Sequence, residues 1–210
     1  GKEYIISKMM LKQGVTTCVG GNCGVLYQTL REFKDTIGEL GGSPVNYAML
    51  TGYNWYRTGL GLGHHDTATR EQWDIIRGKM QEDLKEGAMG ISFGIEYDPG
   101  ITFEEIIYGT EASDDPDLLV AAHYRNDCLD DISSIEEMIN IQKHINKRFQ
   151  ISHLSSCSAM GKMKESLELI NRSMEEDPRL NFDTYPYNAF STEISSTVFD
   201  DGCLEAWGKE

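Results

Sequence analysis

Strand-like and helix-like segments alternate about six times along this sequence, which limits the folds open to it. The strand-like segments are short apolar runs, namely VTTCVG at 15–20, PVNYAML at 44–50, AMGISF at 88–93, DLLVAA at 117–122, FQIS at 149–152 and LNFDTY at 180–185. Amphipathic segments of helical period lie between them. Because parallel strands are joined by such helices, the alternation predicts an α/β fold with about six βα units.

The helical segments have recognisable beginnings and ends. They cover residues 2–14, 28–40, 69–87, 102–109, 134–148 and 160–175. Thr69 and Thr102 are the residue type that caps helix N-termini, and Gly87 is the type that ends a helix. The polar and glycine-rich run TGYNWYRTGLGLGHHDTA at 51–68 is predicted to be one long βα loop.

Two parallel architectures satisfy this alternation, an open doubly wound sheet and a (βα)8 barrel. No GxGxxG or GxxxxGK[ST] motif marks a nucleotide loop, and GLGLG at 59–63 has the wrong spacing. Polar residues instead follow the predicted strand ends, as Asn22-Cys23-Gly24, His123-Tyr124-Arg125, Ser152-His153 and residues 183–187. Since a barrel collects such positions on one rim, the pattern favours a TIM-type barrel.

Charge, hydropathy and cysteine content argue against several kinds of partner and indicate a compartment. The formal net charge is −15, which argues against a nucleic-acid surface and against a polybasic membrane contact. No uncharged apolar run reaches the roughly 18 residues of a membrane span, and the first residues lack a signal-peptide core. The five cysteines are scattered without a CxxC motif, so we expect no disulfide framework and a reducing cytoplasm.

One cysteine and two histidines follow three different predicted strands, at Cys23, His123 and His153. A thiolate with two imidazoles suits Zn²⁺ and leaves a fourth position open for water or substrate. Each residue also has a structural interpretation, because strand-end histidines and small buried cysteines are common. A redox pair of Cys18 and Cys23 is a further alternative, disfavoured because Cys18 lies within the strand.

Five motifs occur along the chain in the following order: GVTTCVGGNCGV, EGAMGISFGIEYDPG, AAHYR, QISHL and FDTYPYNAFST. With them the sequence resembles the N-acyl-D-amino-acid deacylase (D-aminoacylase) family of the amidohydrolase superfamily, from about residue 8 to residue 195. The resemblance implies a zinc-dependent (βα)8 barrel enzyme. It also implies a small-molecule substrate, an N-acyl-D-amino acid or a related amide.

The resemblance implies roles for individual residues. Cys23 resembles the metal-binding cysteine of the family, and His123 and His153 resemble its two later histidine ligands. Tyr97 resembles a substrate-site tyrosine. Tyr185 resembles a tyrosine near the scissile acyl group, where it could donate a hydrogen bond to a developing oxyanion.

Other positions concern recognition of the substrate's carboxylate. Arg125 could hold that carboxylate or support a ligand, and a salt bridge at the rim is the structural alternative. Ser155 stands where the family often has lysine, and Gly52-Tyr53-Asn54 stands where it often has GHG. Asp127 is shorter than the glutamate usual at its position.

Two features of complete amidohydrolases are not found in the sequence, an H-x-H motif and an aspartate after the last strand. We therefore expect residues 1–210 to form a single incomplete barrel domain with the second to seventh strands. It would lack the first and last strands and the β-sandwich domain. Exposed barrel edges could then pair copies of the chain into a homo-oligomer, and we expect no deacylase turnover from this chain alone.

Two rival functions remain open from the sequence. A cyclic amidase of the dihydroorotase or hydantoinase type would use the same barrel and a similar metal. A non-catalytic binding domain built from a decayed barrel is the second rival, and the replaced residues at 53 and 155 support it.

Overall fold

A computed structural model of the chain describes residues 5–126, 131–158 and 161–209. The strands are β1 (Thr17–Gly20), β2 (Asn46–Gly52), β3 (Gly90–Gly94), β4 (Leu119–His123), β5 (Arg148–Ile151) and β6 (Leu180–Phe182). The helices are α1 (Ile5–Lys12), α2 (Leu30–Glu39), α3 (Tyr53–Gly59), α4 (Arg70–Lys85), α5 (Phe103–Thr110), α6 (Asp131–His144), α7 (Leu154–Ser158), α8 (Met163–Glu176) and α9 (Cys203–Ala206). Asp127, Cys128 and the predicted helix start at Met160 lie outside the described residues.

The six strands form one parallel sheet in which each strand pairs with the next along the chain, in the order β1 to β6. A doubly wound sheet reverses its strand order at a switch point, whereas a barrel does not. The order therefore decides between the two architectures. The prediction of a partial TIM-type barrel with six βα units is confirmed.

The hydrophobic core lies between the sheet and the helices. Strand residues of one face are fully buried there, among them Ile91, Phe93, Val120, Ala122, Phe149 and Ile151. Side chains alternate between the faces of a strand, so the opposite face carries Ser92, His123 and, just past β5, Ser152. The inner side of the sheet is therefore polar at the carboxyl ends of its strands. No helix in the described ranges is long and apolar enough to cross a membrane.

Helix caps follow the sequence signals. The Thr69 side chain accepts a hydrogen bond from the Gln72 backbone and completes a capping box at the start of α4. The Thr102 side chain accepts from the Glu105 backbone at the start of α5. Both predicted N-caps are therefore present.

The predicted loop at 51–68 was wrong in its first part, because β2 runs on to Gly52 and α3 follows at once. Tyr53 and Arg57 lie one helical turn apart and are both buried, which the polar composition concealed. Arg57 Nη1 lies 2.6 Å from Glu105 Oε1, and the Tyr53 hydroxyl donates to the same oxygen at 3.0 Å. The ion pair allows a polar segment to be helical and buried.

Candidate metal centre

The carboxyl ends of the strands bring Cys23, His123 and His153 together from three separate parts of the chain. One potential ligand atom from each lies within 4.8 Å of the others. Cys23 Sγ is 3.5 Å from His153 Nε2, and His123 Nδ1 is 2.5 Å from the same nitrogen. The residues selected from the sequence thus share one location, and their role as metal ligands stays a prediction.

Two of these three residues have an unusual backbone conformation. Cys23 has φ 56° and His153 has φ 38°, and in the described ranges they are the non-glycine residues with positive φ. A left-handed backbone is unfavourable for a residue with a side chain, and such strain concentrates at functional sites. Cys23 sits in a short 3-10 turn, Asn22–Gly24, which begins two residues after the end of β1. The chain therefore accepts backbone strain where it presents two candidate ligands.

Polar side chains of the inner sheet face hold the Cys23 turn in place. The side-chain oxygen Oδ1 of Asn22 accepts a hydrogen bond from the Cys23 backbone at 3.0 Å and from Ser152 Oγ at 3.1 Å. The Gly24 backbone donates to Ser92 Oγ at 3.0 Å. The turn is thereby attached to β3 and to the end of β5, so its position relative to the histidines is fixed by the sheet.

Glycines let the Cys23 turn approach the sheet closely. A Cβ at Gly94 would lie 2.3 Å from the carbonyl oxygen of Cys23, and a Cβ at Gly24 would lie 1.8 Å from Asn54 Oδ1. Real side chains do not tolerate such distances. The cysteine can therefore sit against β3 only because residues 24 and 94 have no side chain.

A carboxylate that sequence reasoning did not select, Glu96, orients His123. Glu96 Oε2 lies 2.6 Å from His123 Nε2, and both side chains are almost fully buried. Because a carboxylate only accepts, Nε2 carries the hydrogen and Nδ1 faces Cys23 and His153. Carboxylate–histidine pairs of this kind commonly support metal sites. The sequence signal was an acid two residues beyond β3, inside the quoted motif GIEYDPG.

Asp183 holds the other histidine through its backbone. The His153 N–H donates to Asp183 Oδ1 at 2.5 Å, and Gln150 Nε2 donates to Asp183 Oδ2 at 2.9 Å. Asp183 directly follows β6, so it connects the ends of β5 and β6. The strained backbone of His153 is thereby tied to the neighbouring strand.

Burial and nearby charges shift the pKa values of two of the three residues, Cys23 and His153. Burial, reinforced by the Asp183 and Glu96 carboxylates, raises the pKa of the Cys23 thiol from 9.0 to about 12. Burial, reinforced by His123 and opposed by Asp183, lowers the pKa of His153 from 6.5 to about 4. At neutral pH the thiol therefore holds its proton and His153 is a neutral base, so a metal ion would have to displace one proton.

Both tyrosines selected from the sequence line the cleft that contains the cluster. This cavity has a volume of about 390 Å³, and Tyr97 and Tyr185 contribute to its wall. The Tyr97 ring centroid lies 5.0 Å from that of His123. Ser155 Oγ lies 3.4 Å from both the backbone nitrogen and the carbonyl oxygen of Tyr185. The serine that replaces the family's lysine therefore contacts the tyrosine-bearing segment.

Arg125 lies outside the wall of this cavity. Its guanidinium pairs with Glu137 at 2.7 Å and donates to the carbonyl oxygens of Pro99 and Ile101 at 2.9 and 3.0 Å. These contacts are those of the structural alternative, a salt bridge at the rim. The contacts fix the loop after Asp98, and binding of a substrate carboxylate by Arg125 stays a prediction.

Similarity to characterised proteins covers most of this chain. A D-aminoacylase of Alcaligenes xylosoxydans xylosoxydans is 29% identical over 210 aligned residues, covering 88% of this chain. An N-acyl-D-aspartate deacylase of the same organism is 27% identical and also covers 88% of the chain. The resemblance to the D-aminoacylase family is confirmed. The chain spans 43% and 42% of the lengths of these two relatives. No protein-family model matches the chain.

Solved structures of D-aminoacylases share the fold. A D-aminoacylase mutant in complex with CuCl2 superposes with a TM-score of 0.74 at 26% identity, over 86% of this chain and 44% of that one. The N-acyl-D-glutamate deacylase of Bordetella bronchiseptica, complexed with zinc and a phosphonate inhibitor, superposes with a TM-score of 0.75 at 22% identity. The match covers 86% of this chain and 44% of that one. At that identity the second likeness concerns the fold alone.

Proposed function

We propose that this chain is part of a zinc-dependent amidohydrolase that cleaves the amide bond of N-acyl-D-amino acids. The observation that carries the proposal is the convergence of Cys23, His123 and His153 within 4.8 Å at the carboxyl ends of parallel strands. The printed activities of the curated relatives, a D-aminoacylase and an N-acyl-D-aspartate deacylase, support the substrate class. We propose further that residues 1–210 form a single incomplete barrel domain of that enzyme.

The donor atoms of the cluster fit zinc. One sulfur and two imidazole nitrogens form a borderline-soft set, and three protein ligands are typical of a catalytic zinc that keeps an open position. In such a site the ion supplies a bound water with a pKa of about 7 and polarises the acyl carbonyl. Cys23, His123 and His153 would hold the ion, while Glu96 keeps His123 Nδ1 directed toward it.

The two tyrosines of the cleft would contact the substrate. The Tyr185 phenol would donate a hydrogen bond to the acyl oxygen, whose negative charge grows as the carbonyl carbon is attacked. Tyr97, beside the His123 ring, would pack against the acyl-amino backbone next to the scissile bond. Arg125 acts at a distance, because its contacts with Pro99 and Ile101 hold the loop that follows Tyr97.

Metal analysis of the purified chain tests the ligand set. Under reducing conditions the wild-type protein should bind about one equivalent of zinc, and Cys23→Ala, His123→Ala and His153→Ala should each lose it. Cys18→Ala is the matched control, because Cys18 lies within β1 and outside the cluster. Equally low zinc in the wild type and in Cys23→Ala would overturn the proposed site.

Turnover of a longer protein that contains this chain tests the reaction. N-acyl-D-amino acids should be hydrolysed, and the L-enantiomers and hydantoins should not. Faster opening of hydantoins would support the cyclic-amidase rival, and zinc binding without any turnover would support a binding domain.

Because β1 and β6 are the edge strands of the sheet, we also propose that the chain self-associates through these edges. Sedimentation of the purified chain tests this proposal.

A further inference from the structure

A second cavity adjoins the metal cleft. It has a volume of about 380 Å³, and three residues, Cys23, Tyr97 and Thr192, line both cavities. A ligand held at the cluster can therefore extend past Tyr97 into this second space. Its walls are partly apolar and aromatic, formed by Val25, Tyr27 and Trp55. Such walls suit the aliphatic part of a side chain or acyl group.

The second cavity contains a histidine in a defined tautomer. His64 Nδ1 lies 2.7 Å from Asp98 Oδ1, and the Asp98 carboxylate is buried with 5% exposure. Asn54 Nδ2 donates to the second oxygen of Asp98 at 2.8 Å, so the carboxylate is held on both sides. Since a carboxylate only accepts, Nδ1 of His64 carries the hydrogen, and in the neutral ring Nε2 is an acceptor.

The exposure of His64 distinguishes it from a core histidine. Its side chain is 55% exposed and lines the cavity, while its carboxylate partner is buried. In the described part of the chain no hydrogen bond is made at Nε2. The buried side of the ring is thus fixed by the protein, and the acceptor nitrogen is left for a bound molecule.

The charges around this cavity disfavour an anion. Asp98 and Glu193 both line it, and among the described residues no lysine or arginine does. The nearest buried cation, Arg57, lies 3.7 Å from Asp98 but is itself paired with Glu105 at 2.6 Å. Two carboxylates and an acceptor nitrogen form a surface that suits a hydrogen-bond donor, and aromatic walls also tolerate a cation.

We propose that His64 is a specificity-determining residue that accepts a hydrogen bond at Nε2 from an uncharged or cationic group at the far end of the substrate. The inference rests on the proposed amidohydrolase function and narrows it. Among N-acyl-D-amino acids, those with an amide, hydroxyl or ammonium group distant from the scissile bond are preferred. A terminal carboxylate is rejected, because it would face Asp98 and Glu193 and could only accept.

The test compares two nearly isosteric probes, N-acetyl-D-glutamine and N-acetyl-D-glutamate, with the zinc-loaded chain. Binding is followed by NMR of ¹⁵N-labelled histidine. N-acetyl-D-glutamine should shift the Nε2 resonance of His64 and should bind at least about tenfold more tightly than N-acetyl-D-glutamate. His64→Ala should reduce that preference to the part that Asp98 and Glu193 supply, and His64→Gln, which keeps an acceptor, should retain more of it.

His65→Ala is the matched control, because the neighbouring histidine pairs with Asp200 on the surface, 3.0 Å away, and does not line the cavity. It should bind the probes as the wild type does. The inference is overturned if His64→Ala keeps the full wild-type preference, if the glutamate derivative binds as tightly as the glutamine derivative, or if neither shifts Nε2. Zinc content is measured first, so loss of zinc binding identifies a failure of the proposed function instead.

Discussion

The side-chain amide of Asn54 forms hydrogen bonds with both the backbone nitrogen and the carbonyl oxygen of Gly94. Asn54 Oδ1 accepts from the Gly94 nitrogen at 2.9 Å, and Asn54 Nδ2 donates to the Gly94 carbonyl oxygen at 2.8 Å. The same amide lies against Gly24, next to Cys23, with no room for a side chain between them. Asn54 therefore joins the end of β3 to the turn that presents the candidate thiol ligand.

Replacing Asn54 by alanine should loosen this turn. We expect zinc affinity to fall by about tenfold or more, because supporting residues of metal sites have effects of this size. Buried partners left without hydrogen bonds should lower the free energy of unfolding by about 1–3 kcal/mol. Zinc titration and urea unfolding of the metal-free protein measure the two effects separately. Asn46→Ala, which removes an exposed hydrogen bond to Thr16, is the control, and equal zinc affinity in both variants would contradict the assignment.

Gly94→Ala should disturb the same turn by steric means. Its Cβ would meet the Cys23 carbonyl oxygen at 2.3 Å, so the turn or the strand must move. We expect a loss of about 1–3 kcal/mol in unfolding free energy together with weaker zinc binding. Gly78→Ala in α4 has open space around it and should be neutral or stabilising, by up to about 1 kcal/mol. Retention of wild-type zinc affinity in Gly94→Ala would show that the close approach is not needed.

Glu96→Gln tests the support of His123. The amide keeps the size of the side chain but removes the charge that stabilises the Nε2–H tautomer. Zinc affinity should drop by about tenfold, at the lower end of the range for such residues, with little change in unfolding free energy. Glu111→Gln serves as the control, because Glu111 is exposed and does not line the cleft. An unchanged zinc affinity in Glu96→Gln would show that this carboxylate does not support the metal site.

Zinc affinity should rise as the pH rises. The Cys23 thiol, whose pKa is about 12, is protonated from pH 6 to 8, and binding must release that proton. His153, whose pKa is about 4, is already neutral and releases none. Apparent affinity should therefore rise about tenfold per pH unit over this range. Calorimetry in buffers of different ionisation enthalpy measures the released proton, and Cys23→Ala should abolish its release. A pH-independent wild-type affinity would contradict the account.

The repeating βα pattern and the shared location of Cys23, His123 and His153 could be predicted from the sequence because both depend on local signals. Strand periodicity and strand-end positions place the three residues on one rim. Their role as ligands is implied by the resemblance and stays a prediction. The helix α3 could not be predicted in this way. Its polar residues are buried through a partner about 50 positions away, as the pairing of Arg57 with Glu105 illustrates, and a local pattern does not contain that partner.

The supporting residues of the site were missed for the same reason. Glu96 acts through a contact with His123 that exists only after β3 and β4 have paired. Asn54 and Asp98 act through a contact that exists only after β2 and β3 have paired. For Arg125 the sequence left two roles open, and the contacts with Glu137 and the loop carbonyls favour the structural one. Residue types at strand ends therefore located the site, and tertiary contacts determined which neighbours orient it.

X-ray absorption at the zinc edge of the metal-loaded chain shows which atoms hold the ion. We expect one sulfur scatterer at about 2.3 Å and histidine nitrogens at about 2.0–2.1 Å. The sulfur shell should vanish in Cys23→Ser and persist in Cys18→Ser. A wild-type spectrum without sulfur, or a sulfur shell that survives in Cys23→Ser, would contradict the proposed zinc centre.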